Sequence, residues 1–101
     1  MSAPEVLDVN PRMLRLPTSR TNGADPVKLA RQIARYGAST QGMPVLEVTR
    51  GANGELMINS GVTRATRVAR LAPGQTIRVE VIDDRPTWDL SKLPIIGDFL
   101  P

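Results

Sequence analysis

Ser60, Gly61, Thr63 and Arg64 are the residues of this sequence whose types and spacing best suit holding an anion. An apolar run, Leu56-Met57-Ile58, passes through Asn59-Ser60-Gly61 into Val62-Thr63-Arg64-Ala65-Thr66-Arg67. That order predicts a strand, a small-residue turn and an arginine-bearing helix. The first turn of a helix has backbone N–H groups with no intrahelical acceptor and the positive end of the macrodipole, so a phosphate there would gain amides, hydroxyls and a guanidinium together. A glycine in the turn lets the backbone come close to a ligand. The same residues also fit a plainer arrangement, with Asn59 or Ser60 capping the helix and the arginines solvated. Arg64, Arg67 and Arg70 recur every third residue and would offer a cationic flank to a nucleic-acid backbone.

Other polar groups could complete such a site. Ser39, Thr40 and Gln41 lie on a polar loop and could take the remaining phosphate oxygens or a sugar, or could be ordinary turn residues. Glu47 and Glu55 flank a hairpin and could serve as a general base or as carboxylates for a divalent ion such as Mg2+, although strand glutamates usually face water. Glu80, Asp83 and Asp84 form a second acidic group, which reads equally as an exposed edge or a metal site. The chain has no cysteine and no histidine. Thiol nucleophiles, disulfides, zinc-finger sites and imidazole bases are therefore excluded, which leaves carboxylates, hydroxyls, arginine, backbone amides or a hard metal ion.

The elements that must position these residues follow from length and punctuation. With 101 residues, 41% apolar and 23% charged, the chain predicts one folded domain with a single modest core. No apolar run is long enough to cross a bilayer, and the opening MSAPEVLDVN offers neither the basic region nor the hydrophobic stretch of a secretory signal. If the domain leaves its cell, another domain or machine carries it. The net charge is only +3, with a pI near 10.2, but apart from Lys28 and Lys92 every basic residue is arginine, which forks onto phosphate oxygens. Asp25-Pro26 predicts a sharp helix start, and Gly37 its stop near Tyr36. Leu29, Ile33 and Tyr36 make its apolar stripe, with Lys28, Arg31, Gln32 and Arg35 facing water. Strands are expected at residues 13–16, 45–49, 56–58 and 76–82, with a reversal at Gly51-Ala52-Asn53-Gly54. A second helix is expected over residues 62–71, burying Val62, Ala65, Val68, Ala69 and Leu71. The proline-broken tail, residues 83–101, has too many large apolar side chains to be free, and its expected target is the domain's own core rather than a partner.

Gly37, then Gly42-Met43-Pro44-Val45-Leu46-Glu47-Val48, then Gly54-Glu55-Leu56-Met57-Ile58-Asn59-Ser60-Gly61, resembles the ParB N-terminal domain and sulfiredoxin superfamily over residues 6–82. The resemblance implies an α+β fold, a small mixed sheet with two or three helices packed on it. Gly61 and Arg64 match the Gly-Glu-Arg-Arg motif of ParB proteins and the Gly-Cys-His-Arg of sulfiredoxin. Val62 stands where those families have a glutamate tied to nucleotide hydrolysis or a nucleophilic cysteine, so neither reaction carries over. Thr63 puts a hydroxyl in place of a basic or imidazole group. Gly61-Val62-Thr63-Arg64-Ala65-Thr66-Arg67 and the ending Trp88-Asp89-Leu90-Ser91, Leu93-Pro94, Gly97-Asp98, Leu100-Pro101 are most similar to the ParB-like C-terminal domains of bacterial polymorphic toxins. That likeness implies a nuclease or nucleotide hydrolase delivered into a target cytoplasm by a larger secreted protein and neutralised by a cognate immunity protein. It implies a nucleoside triphosphate and Mg2+ as cofactors, catalytic work by Arg64, Thr63 and Glu47, and phosphate binding by Ser60, Gly61, Thr63, Arg64, Arg67, Ser39, Thr40 and Gln41. The alternatives are a non-catalytic nucleotide- or DNA-binding module of the same fold and a partner-binding domain that uses the apolar tail.

Overall fold

A computed structural model describes residues 4–100. The chain is a small α+β domain: strands β1 (Glu5–Val9), β2 (Leu46–Arg50), β3 (Leu56–Ile58) and β4 (Ile77–Asp84), and helices α1 (Pro26–Tyr36) and α2 (Val62–Leu71). The strands form one mixed sheet in the order β1-β4-β2-β3. β2 and β4 pair in parallel at its centre, and β1 and β3 pair antiparallel at its edges. A parallel pair needs a long crossover, and β3 with α2 supplies it. Val48 faces Val81 but Thr49 faces Asp83, so β4 has one extra residue, Ile82, at this point.

Leu46 and Val48 of β2, Ile58 of β3 and Ile77 and Val79 of β4 are buried against Val62, Ala65, Val68 and Ala69 of α2. α1 lies farther out and packs chiefly on α2. None of its residues is fully buried, and Tyr36, expected in its apolar stripe, is exposed. Leu71 is likewise exposed, because α2 turns it away from the sheet at its last turn.

The first strand lies at Glu5–Val9 rather than at residues 13–16. Pro11–Met13 instead forms a single 3-10 turn, and Arg15 makes only isolated bridges, to Met57 and to Ile95. A proline begins that turn and Asn10 caps it by accepting from the Arg12 amide, which stops a strand from starting there. Leu14 and Leu16 are nevertheless buried. The tail lies against the core: Leu90 and Ile96 are buried, and the Leu16 amide donates to Pro94 while the Ile96 amide donates to Leu14. Arg15 Nη1 secures the same segment by donating to the Leu93 carbonyl at 2.7 Å. Trp88 and Phe99 remain exposed. Pro101, which closes the tail, lies outside the described residues, as do residues 1–3.

Candidate functional site

α2 begins without a cap. Gly61 takes φ +91°, ψ +24° and no side chain accepts from the first amides; Asn59 instead accepts from the Thr49 hydroxyl at 3.1 Å. The first intrahelical bond joins the Ala65 amide to the Gly61 carbonyl at 2.9 Å. The amides of Val62, Thr63 and Arg64 precede it and have no protein acceptor among the described residues. Gly61 is needed for a reason other than ligand approach. A Cβ there would sit 2.6 Å from Leu46 Cδ2, and its positive φ is strained for any side chain.

These amides open into a cleft of about 510 Å³ lined by Ser60, Gly61, Thr63 and Arg64 together with one face of α1 and the segment before it. Lys28, Arg31, Gln32 and Arg35 recur at the spacing of one helical face, and that face looks across the cleft at the start of α2. Arg20 also lines the cleft. Five cationic side chains (Arg20, Lys28, Arg31, Arg35 and Arg64) therefore line one cleft, and none has a salt-bridge partner among the described residues. The single carboxylate in the lining is Asp25. Its Oδ1 caps α1 by accepting from the Val27 amide at 2.8 Å and the Lys28 amide at 3.1 Å, and those amides, Lys28's first, hold its carboxyl below the usual range.

Arg67 is elsewhere. It is 2% exposed, points inward from α2, and donates through Nη1 to the carbonyls of Gly37 and Ser39, both at 2.7 Å, with its guanidinium 5.3 Å from the Tyr36 ring centre. Burial pulls its pKa below the ordinary arginine value. The expected flank of Arg64, Arg67 and Arg70 is thus divided: Arg64 faces the cleft, Arg67 is internal and Arg70 is exposed beside Phe99. Three residues per step on a helix drifts around its axis, and the drift takes Arg67 under the 37–43 loop.

The loop residues are divided too. Ser39 accepts from the Gln41 amide and gives its carbonyl to Arg67, and Thr40 gives its carbonyl to the Met43 amide, so both shape the loop rather than line the cleft. Gln41 lines a neighbouring pocket that Arg64 and Gln32 also border. Glu47 is exposed on β2, opposite Glu80, and does not line the cleft. Glu55 pairs with Arg15 at 3.2 Å, and Asp84 and Asp83 pair with Arg50 and Arg85, each at 2.7 Å. Among the described residues, no three carboxylates come together as a metal site.

The cationic face of α1 and Arg20 are the site residues that sequence reasoning missed. The signal was present in Lys28, Arg31 and Arg35 as a periodic set; what it lacked was the packing that turns that set toward α2. Compared with known proteins, the sequence matches no family model and no curated protein.

Proposed function

We propose that this domain binds phosphate groups of nucleic acid or nucleotides in the cleft between α1 and the start of α2. One observation carries the reading: unpaired amides at a helix start open into a cleft with five cationic side chains that have no salt-bridge partner among the described residues. Those charges repel one another and the helix dipole unless an anion sits among them. Thr63 adds a hydroxyl and Arg64 a forked donor beside the amides. The resemblance of Gly61 and Arg64 to the ParB and sulfiredoxin motif supports the same assignment. No aromatic side chain lines the cleft to stack on bases, so binding to nucleic acid there is phosphate-led, salt-sensitive and weakly sequence-specific.

The likeness to the ParB-like domains of polymorphic toxins extends this to phosphoryl chemistry on nucleic acid or nucleotides inside a target cell. In that reading Asp25 takes the role that the sequence suggests for Glu47, because it is the carboxylate that lines the cleft, and its Oδ2 makes no bond to the protein among the described residues. Asp25 would then hold Mg2+ or orient a water. The test is purified protein with magnesium on plasmid, RNA and nucleoside triphosphates, beside Arg64→Ala and Asp25→Asn. Loss of binding in Arg64→Ala supports the phosphate site, and undiminished binding refutes it. Asn caps a helix about as well as Asp, so turnover lost in Asp25→Asn at unchanged stability assigns Asp25 to chemistry. Affinity without turnover in the unsubstituted protein establishes the non-catalytic module.

A further inference from the structure

A second pocket, about 480 Å³, adjoins the cleft and shares Arg64 and Gln32 with it. Tyr36, Gln41, Met43 and Arg67 complete its wall. Two polar groups in that wall are buried and unsatisfied: Arg67 Nε and Gln32 Oε1. Arg67 uses Nη1 on the Gly37 and Ser39 carbonyls, and its Nη2 meets only the Met43 sulfur at 3.8 Å. The Nε–Nη2 edge of a guanidinium is the fork that grips two oxygens of an oxyanion, and here it has neither a carboxylate nor a carbonyl. An arginine remains charged in a protein, so a nearly fully buried guanidinium with no salt-bridge partner among the described residues calls for an anion. Gln32 Oε1 asks for the opposite, a donor.

An anion that also carries a hydrogen-bond donor answers both. We propose that this pocket is a second oxyanion subsite, for a phosphate ester bearing a sugar hydroxyl: the phosphate on the Nε–Nη2 edge of Arg67 and the hydroxyl on Gln32 Oε1. The inference rests on the phosphate reading of the adjoining cleft and deepens it. A ligand that spans both pockets past Arg64 presents two anionic groups, and in a nucleic-acid strand, where the 3-hydroxyl is esterified, the hydroxyl requirement favours RNA over DNA. A free ribonucleotide and an RNA strand both carry this chemistry.

The experiment is an amide NMR titration of the domain with inorganic phosphate, ribose 5-phosphate and methyl phosphate, an ester with no hydroxyl on its organic group, repeated on Gln32→Leu and Arg67→Lys. Ribose 5-phosphate should shift the Gln41 to Met43 amides and bind about three- to tenfold more tightly than methyl phosphate, the worth of one hydrogen bond. Gln32→Leu should erase that preference while retaining binding of inorganic phosphate, and Arg67→Lys should weaken both phosphate esters. Shifts at the Val62 to Arg64 amides with none at Gln41 to Met43 overturn this inference and leave the cleft reading standing. Shifts at Gln41 to Met43 alone sink the cleft reading and, with it, the inference of a second subsite that rests on it. Equal affinity for ribose 5-phosphate and methyl phosphate in the unsubstituted protein also overturns the inference. Gln32→Leu, on a partly exposed helix position, keeps the test decisive if Arg67→Lys fails to fold. A short RNA oligomer names the source: binding at least tenfold tighter than ribose 5-phosphate points to a strand, and comparable binding to a free ribonucleotide, both in support of the subsite.

Discussion

Gly61 shows how one residue can serve the fold and the site through the same geometry. Its left-handed backbone turns the chain from β3 into α2, and its missing Cβ admits the buried Leu46 side chain. Gly61→Ala therefore meets two penalties, backbone strain of about 1–3 kcal/mol and a clash with Leu46 that must be relieved by moving the core. Gly54 has a similar φ, +77°, with nothing within 4 Å of where a Cβ would stand, so Gly54→Ala meets the strain alone. Urea midpoints should fall for both and further for Gly61→Ala; equal falls would show that Leu46 moves aside freely. Arg67 teaches the complementary lesson. Its residue type and spacing suggested a surface cation, yet two carbonyls of the 37–43 loop and the Tyr36 ring hold it inside.

At the scale of elements, local chemistry made α1 and α2 legible. Asp25-Pro26 and Gly37 bound α1 where expected, and the Gly51 to Gly54 reversal and β3 also fall where the sequence places them. β1 was hidden because Val6, on the exposed face with Asp8, is apolar like the half-buried Leu7 and Val9 on the other face, so EVLDV lacks a clear period. The cleft was half legible. The start of α2 announces itself through Ser60 to Arg64, but the opposite wall exists only because α1 packs on α2 with Lys28, Arg31 and Arg35 facing inward across the gap. No local pattern in the sequence encodes that docking. Replacing Lys28, Arg31 and Arg35 together by glutamine should leave the denaturant midpoint nearly unchanged, since all three are exposed. It should weaken binding of single-stranded nucleic acid and flatten its log–log salt dependence by about 0.7 for each phosphate no longer neutralised. An unchanged salt slope would place the backbone elsewhere.

For the molecule as a whole, acid is the condition that should loosen it. Glu5 is held below its ordinary 4.5, chiefly by the Arg50 guanidinium. Asp25 is held below 3.8 by the Lys28 and Val27 amides, and Asp89 likewise by Ser91. Lowered carboxyl values contribute stability that is present above their unfolded values and is lost as pH falls through the folded ones. Thermal midpoints should hold from neutrality to about pH 5 and decline below about pH 4; a midpoint that rose on acidification would contradict these pairings. Phosphate should act in the other direction, because an anion that binds only the folded state stabilises it, by about 2.7 kcal/mol at a hundredfold excess over its Kd. The most direct test of the central claim is the amide NMR spectrum of the domain titrated with inorganic phosphate at constant ionic strength. Saturable shifts at the Val62, Thr63 and Arg64 amides, abolished in Arg64→Ala, are the predicted result; amides that stay unmoved while phosphate rises to tens of millimolar, or that move equally with chloride, would contradict it.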